Sequence, residues 1–170
     1  MTYQIALSTK SKPVGMALCN SQEVIGPTTN TILSFSTSFQ SWSGTPGISI
    51  DSGGIRLTAG SWYLLEGTAQ ALSATFDSND YLMYRWYDET AAAYIGARGR
   101  VAFNATSSDA LLHSYDERAV VLYYATADVT LTLRCLVNSG CTRANSTADA
   151  QYVYAGLGRA LVVRLDGPAP

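Results

Sequence analysis

The sequence predicts an all-β fold, an antiparallel sandwich or barrel of about ten short strands. Three observations carry that prediction. Apolar and polar residues alternate through many short runs. Turn-rich segments of Gly, Pro, Asn and Asp separate those runs at spacings of roughly 8–12 residues. Apolar residues nowhere recur at i, i+3, i+4, i+7 over three turns, so no amphipathic helix is expected.

Tyr3–Leu7 and Val14–Leu18 are short strand candidates. In Ile32–Phe39, Phe35, Thr37 and Phe39 share one face at period two. Ser41–Gly47 reads as a loop from its Gly and Pro content. Ile48 and Ile50, then Ile55 and Leu57, frame a turn at Asp51–Gly54. A tight turn at Ala59-Gly60 leads into a longer strand that ends near Ala69 and holds Trp62, read as a core residue. Tyr81–Tyr87 is aromatic and β-prone; Asp88–Ala91 breaks it, and Ala93–Arg98 returns as the second arm of a hairpin. Asn104–Asp109 is a polar loop. Arg118–Ala125 is a strand, Thr126–Asp128 a turn, and Val129–Leu136 alternates with Val129, Leu131, Leu133 and Cys135 on one face. Gly140–Ala148 reads as a loop, Arg159–Leu165 as the terminal strand, and Gly167–Pro170 as a frayed tail.

With 170 residues the chain is expected to form one domain. Charged residues make up 14%, against roughly 25% in an average soluble protein, and hydrophobic residues reach 47%. That balance excludes disorder as the main state. The net charge is −2, and of the 11 basic side chains only Lys10 and Lys12 are lysines. Neither a nucleic-acid binder nor a polybasic membrane anchor is expected from it. No run of about 20 apolar residues is present, and the start MTYQIALSTKSKP lacks a signal-peptide core. The chain reads as made without a targeting segment.

The chemistry-bearing residues are sparse. Nucleophilic catalysis needs a nucleophile, a base and an orienting group. His113 is the sole histidine, and Ser114 and Asp116 beside it would point to opposite faces of a strand. The carboxylate pairs Asp77/Asp80 and Asp88/Glu89 sit in turn-like sequence, where Asp is expected to bond the backbone. No catalytic residue is therefore assigned. Asp77–Asp80 is the best oxygen cluster for Ca²⁺, but it lacks EF-hand spacing, and no metal or cofactor is assigned. Cys19, Cys135 and Cys141 read as ordinary buried thiols; a Cys135–Cys141 bridge across a hairpin is the alternative. Gly53-Gly54 and Gly156–Gly158 read as turns or bulges. Trp42, in its Ser/Gly loop, is the better candidate for an exposed contact residue.

Ile55-Arg-Leu-Thr-Ala-Gly-Ser-Trp-Tyr-Leu-Leu-Glu66 resembles the signature strand pair of C1q/TNF-like jelly-roll domains, in the versions carried by virion proteins of tailed bacteriophages. Arg85-Trp-Tyr-Asp-Glu-Thr90 followed by Tyr94-Ile-Gly96 is similar to a hairpin of those domains. Val129–Arg134 resembles their penultimate strand, and Tyr154–Leu165 their closing strand. The resemblance spans about residues 48–166 as the jelly-roll domain, with 167–170 as the tail. Residues 1–47 match nothing in it and are read as first strands of the same fold or as an attachment arm.

The resemblance implies an antiparallel jelly roll of about ten strands. It also implies a homotrimer with aromatics along its threefold axis, for which Tyr84, Trp86, Tyr123 and Tyr124 are the candidates. The implied role is non-enzymatic: a head-decoration (cement) or head-fibre protein on the outer surface of a phage head, made in the host cytoplasm. Its partners would be the major capsid protein and further copies of itself, with no nucleic acid and no membrane. Tyr3, Ile5, Leu7 and Trp42 are the candidate partner contacts. The alternative is a receptor-binding tail-fibre or spike tip that binds host glycan, through Trp42 and the Asn104–Asp109 loop.

Overall fold

The computed structural model describes residues 13–21, 24–42, 47–73, 80–102, 115–144 and 158–165. They form strands β1 (Pro13–Ser21), β2 (Val24–Ile25), β3 (Phe35–Trp42), β4 (Ile48–Asp51), β5 (Gly54–Leu57), β6 (Ser61–Thr68), β7 (Ala71–Ser73) and β8 (Tyr81–Asp88), followed by β9 (Ala93–Ala102), β10 (Tyr115–Glu117), β11 (Ala119–Ala125), β12 (Val129–Ser139), β13 (Cys141–Ala144) and β14 (Arg159–Leu165). Among the described residues there is no helix. The first sheet has the order β11-β6-β14-β1-β3 and the second β10-β9-β8-β12-β5-β4; β2, β13 and β7 make a small third sheet. Ten strands thus build the two large sheets, five in each, and β10 adds a three-residue extension at the edge of the second. The chain crosses between the two large sheets from β3 to β4, β5 to β6, β10 to β11 and β11 to β12, as in a jelly roll.

The alternation read in the sequence is what fills the space between the sheets. Tyr63 and Leu65 of β6, Ala160 and Val162 of β14 and Ala119 of β11 face Leu82, Tyr84 and Trp86 of β8 and Leu131, Leu133 and Cys135 of β12, all of them buried. Burial of this kind contributes about 25 cal/mol for each Å² removed from water. The two largest rings also need partners for their polar tips. The Trp86 indole N–H donates to the Ala119 carbonyl at 3.0 Å, and the Tyr84 hydroxyl donates to the Glu117 carbonyl at 2.9 Å. The Trp86 bond crosses the core from β8 to β11 and ties the two sheets together, while the Tyr84 bond stays within the second sheet and reaches past β9 to β10. Gly67 makes room for the indole: a Cβ there would stand 3.0 Å from Trp86 Cζ2. Phe35 stacks on the same indole, with centroids 6.0 Å apart.

The hairpins at Asp51–Gly54 and Asp88–Ala91, the turn at Gly60 and the terminal strand all lie where the sequence places them. Four expectations need correction. Ser41 and Trp42 do not start a loop; they are the last residues of β3, hydrogen-bonded in register with Ala17 and Met16. Residues from Pro13 on are not an arm, because β1 lies between β14 and β3 inside the first sheet. Trp62 is not core: its neighbours Ser61 and Tyr63 point inward, and Trp62 faces out from β6. The segment read as a loop from Gly140 instead opens a strand at Cys141, β13, which pairs with β2 and β7 rather than with β12, so the alternative Cys135–Cys141 bridge across a hairpin is absent. Cys19, Cys135 and Cys141 are buried free thiols.

Candidate functional site

A sandwich strand with one face in the core normally turns polar residues outward. The first sheet does not. Along its outer face, Tyr124, Trp62 and Leu165 stand side by side across β11, β6 and β14. Leu122, Leu64 and Val163 form the next row, and Val120, Glu66 and Leu161 the one after. All of these except Glu66 are apolar or aromatic, and all are half-buried by one another. Trp62 and Tyr124 pack at 5.2 Å with their rings tilted by 56°. The charge is confined to one margin, where Arg118 donates to Glu66 at 2.7 Å. Contiguous apolar patches of this kind on soluble proteins mark interaction surfaces.

The outer face of the second sheet has the opposite character. Tyr81, Met83, Arg85 and Tyr87 alternate with the buried residues of β8 and point outward. The Arg134 guanidinium lies over the Tyr87 ring at 4.0 Å and donates to both carboxylate oxygens of Glu89 at 2.7 Å each. Thr132 also donates its hydroxyl to Glu89. Partial burial opposes ionisation of Glu89, but the Arg134 and Thr132 hydrogen bonds outweigh it and hold the carboxyl below its ordinary range. Tyr94 meets Tyr87 edge-on at 5.0 Å, and its hydroxyl donates to Asn30 Oδ1 at 2.6 Å. Arg85 donates to the carbonyls of Gly96 at 2.8 Å and Ile95 at 3.3 Å, closing the bulge where β9 departs from β8.

The residues expected to line a threefold axis separate into two sets. Tyr84 and Trp86 have no exposed surface at all and are core residues of the single subunit, a correction to their expected role. The physical reason is that both rings point inward from β8 and each has its polar tip satisfied by a backbone carbonyl. Tyr123 is half-buried against the core, where its hydroxyl donates to Asp88 at 2.7 Å. Tyr124 stands on the outer face of the first sheet. Among the expected partner contacts, Tyr3, Ile5 and Leu7 lie outside the described residues, as do His113, Ser114, Asp77 and the Asn104–Asp109 loop. Trp42 closes β3, opposite Met16.

The carboxylates of the Asp88/Glu89 pair are engaged structurally. Asp88 accepts from the backbone N–H groups of Thr90 and Ala91 at 2.9 Å and from Tyr123, so it caps the hairpin turn. Burial pushes the thiols of Cys19, Cys135 and Cys141 up to about 12, 11 and 12, which removes nucleophilic thiolate at neutral pH. Among the described residues, no group of three or more His, Cys, Asp or Glu side chains is placed to hold a metal ion.

No protein-family model and no curated protein matches the chain. A solved structure does: Eiger TNF from S. frugiperda, with a TM-score of 0.53 at 12% identity, over 94% of this chain and 96% of that one. At that identity the likeness fixes the fold alone. The chain is an all-β, antiparallel TNF-like jelly roll.

Two features of this surface were not foreseen in the sequence. The Arg134–Glu89 pair joins residues far apart in the chain, and only the β12–β8 register brings them together. The apolar outer face did leave a signal. Ala-Val-Val-Leu-Tyr-Tyr-Ala in β11 and Ala-Leu-Val-Val in β14 are unbroken apolar runs, the pattern of strands covered on both faces.

Proposed function

We propose that the chain is a non-enzymatic structural protein that assembles as a homotrimer through the outer face of the first sheet. The observation that carries this reading is the apolar surface of Trp62, Leu64, Val120, Leu122, Tyr124, Leu161 and Val163. A strand apolar on both faces but covered on only one within the subunit needs a second covering layer, and a further copy supplies one of matching character. Closed rotational symmetry repeats the same contact around an axis without leaving an open edge. Tyr124 and Trp62 then stand at the self-contact, while Tyr84, Trp86 and Tyr123 support it from within.

On this reading the trimer decorates the outside of a tailed-phage head and binds the major capsid protein. The resemblance of Ile55–Glu66 and Arg85–Gly96 to phage virion domains supports it, as do the low charge and the preference for Arg over Lys. Contacts with the capsid protein fall to the segment holding Tyr3, Ile5 and Leu7 and to Trp42. The role is mechanical. Apolar surface buried across joints between capsid subunits must be re-exposed before the shell opens, and repetition over the shell multiplies a modest gain per contact.

Quantitative mass spectrometry of purified virions from the source phage, scaled to the major capsid protein, tests the role. A copy number of the same order as the capsid protein is the expected result. A few trimers per particle would replace decoration with a receptor-binding fibre tip, and absence from the particle would overturn both. Removal of residues 2–12 is expected to abolish incorporation while leaving the jelly roll folded. Normal incorporation would exclude that segment as the attachment element.

A further inference from the structure

The outer face of the second sheet gathers positive charge in a chain whose net charge is −2. Along β8, β9 and β12 it carries Arg85, Arg98, Arg100 and Arg134 against the carboxylates of Glu89 and Glu117. Arg98 and Arg100 flank the buried Gly99, where a Cβ would stand 2.3 Å from the Tyr84 ring, so both arginines point away from the core and are exposed. Of the four, Arg134 alone forms an ion pair among the described residues. Arg85 is held by backbone carbonyls, and Arg100 lies over the Tyr81 ring at 4.9 Å. Two guanidinium groups, those of Arg100 and Arg134, are thus stacked on tyrosines and held in orientation before any ligand arrives.

Beside these cations stand acceptors. Glu89, already bound by Arg134 and Thr132, keeps part of its carboxylate at the surface, and Asn30 lies exposed at the end of the Tyr94 hydrogen bond. We propose that this face binds an acidic saccharide. The exposed guanidinium groups of Arg98 and Arg100 take its carboxylate or sulfate, a geometry suited to paired N–H donation. Glu89 and Asn30 accept from its hydroxyls. The mixture decides the class of ligand. A polyacidic peptide brings few hydroxyl donors and would be repelled by Glu89. A nucleic acid is held by neutralising a long run of phosphates, for which four arginines diluted by two carboxylates are a poor match. An acidic sugar presents one anionic group among several hydroxyls and matches both halves of the site. Orientation of the arginines beforehand lowers the entropy cost of binding.

This site lies on the sheet opposite the proposed self-contact and does not rest on the trimer or on the capsid role. Calorimetric titration of the full chain with trigalacturonate, and in parallel with a sulfated heparin tetrasaccharide, tests it. Maltotriose and an oligothymidylate serve as controls. A dissociation constant of roughly 0.1–1 mM is expected for a short ligand of this class. Binding is expected to weaken as salt rises from about 20 to about 200 mM, as screening of exposed charge requires. The double variant Arg98→Ala/Arg100→Ala is expected to lose about tenfold in affinity with its melting temperature unchanged. Should that variant melt early, Arg98→Glu alone gives the same reading from a single exposed position. Binding of trigalacturonate alone assigns a carboxylate site, and binding of both ligands assigns a general anionic-sugar site; either supports the proposal. No binding to either ligand, equal binding of maltotriose, an affinity unaltered in the variants, or tighter binding of the oligothymidylate would each overturn it.

Discussion

The two outer faces of this sandwich are both built from β-prone strands with one side in the same core, yet they present opposite chemistry. In β12 the order Val-Thr-Leu-Thr-Leu-Arg-Cys puts Val129, Leu131, Leu133 and Cys135 into the core and turns Thr130, Thr132 and Arg134 to the outer face, where Thr132 is buried and bonded to Glu89 and Arg134. In β11 and β14 the apolar run is continuous, so the outward positions are Val120, Leu122, Leu161 and Val163. The inward face of both sheets is set by the same packing. What distinguishes them is what the outward residues are left to do. On the second sheet they satisfy one another through the Tyr87–Arg134–Glu89–Thr132 cluster. On the first, Leu64, Leu122 and Val163 have apolar neighbours, with Glu66 and Arg118 at the margin, and on the proposed reading further copies of the chain cover them. The lesson is that period two identifies a strand, while departure from period two identifies a strand that is apolar on both faces.

The largest expected effect breaks the first face. Leu122→Asp places a carboxylate among Leu64, Val120 and Tyr124. An unpaired charge buried at an interface costs several kcal/mol, about a hundredfold or more in association. The variant is expected to run as a monomer with an unchanged far-ultraviolet circular dichroism spectrum. A trimer of undiminished stability would remove the first sheet from the interface.

Next in size is the joint between the faces. Trp86→Ala empties a fully buried site and leaves the Ala119 carbonyl without its indole donor. A loss of roughly 3–5 kcal/mol is expected, read as a lower thermal or denaturant midpoint. Asp88→Ala should cost less, about 1–3 kcal/mol, because it frees the Thr90 and Ala91 amides and the Tyr123 hydroxyl near the surface. Asp88 also shapes alkaline stability. Burial, then the hydrogen bond to Asp88, raises the Tyr123 phenol from 10.0 to about 12. The contribution is therefore complete below pH 10 and lost as pH rises toward about 12. In Asp88→Ala this alkaline loss should shrink, which denaturant titrations across that range will show.

How much of this was legible from residues alone follows the same division. The core face of β12, the hairpins at Asp51–Gly54 and Asp88–Ala91 and the terminal strand were legible because local alternation and turn chemistry decide them. Trp62 was misread as core because its strand is apolar on both sides; only the inward Ser61 and Tyr63 settle the phase. That Tyr84 and Trp86, candidates for a threefold axis, are core residues was not legible, because ring content does not show which rings point inward to a waiting backbone carbonyl. The Glu89–Arg134 pair was not legible, since it depends on a register between strands some 45 residues apart.

The smallest expected effect sharpens the second face. Glu89→Gln leaves the shape intact and removes one charge from a partly exposed pair, so a change of about 1 kcal/mol or less is expected at neutral pH. Its signature is pH dependence. The Glu89 carboxyl titrates below its ordinary value of 4.5 in the folded protein, so its contribution is present above 4.5 and lost as pH falls through the lowered value. Urea titrations of the parent should show that acid loss, and those of Glu89→Gln should lack it.

The central claim is that the apolar face of the first sheet is covered by further copies of the same chain. Light scattering on the eluting peak in size-exclusion chromatography tests it most directly. The mass predicted is three times 18.2 kDa, about 55 kDa, at micromolar concentration. A stable peak at 18.2 kDa, unchanged on concentration, would contradict the account, because Trp62, Leu64, Leu122 and Val163 would then face water in the native protein.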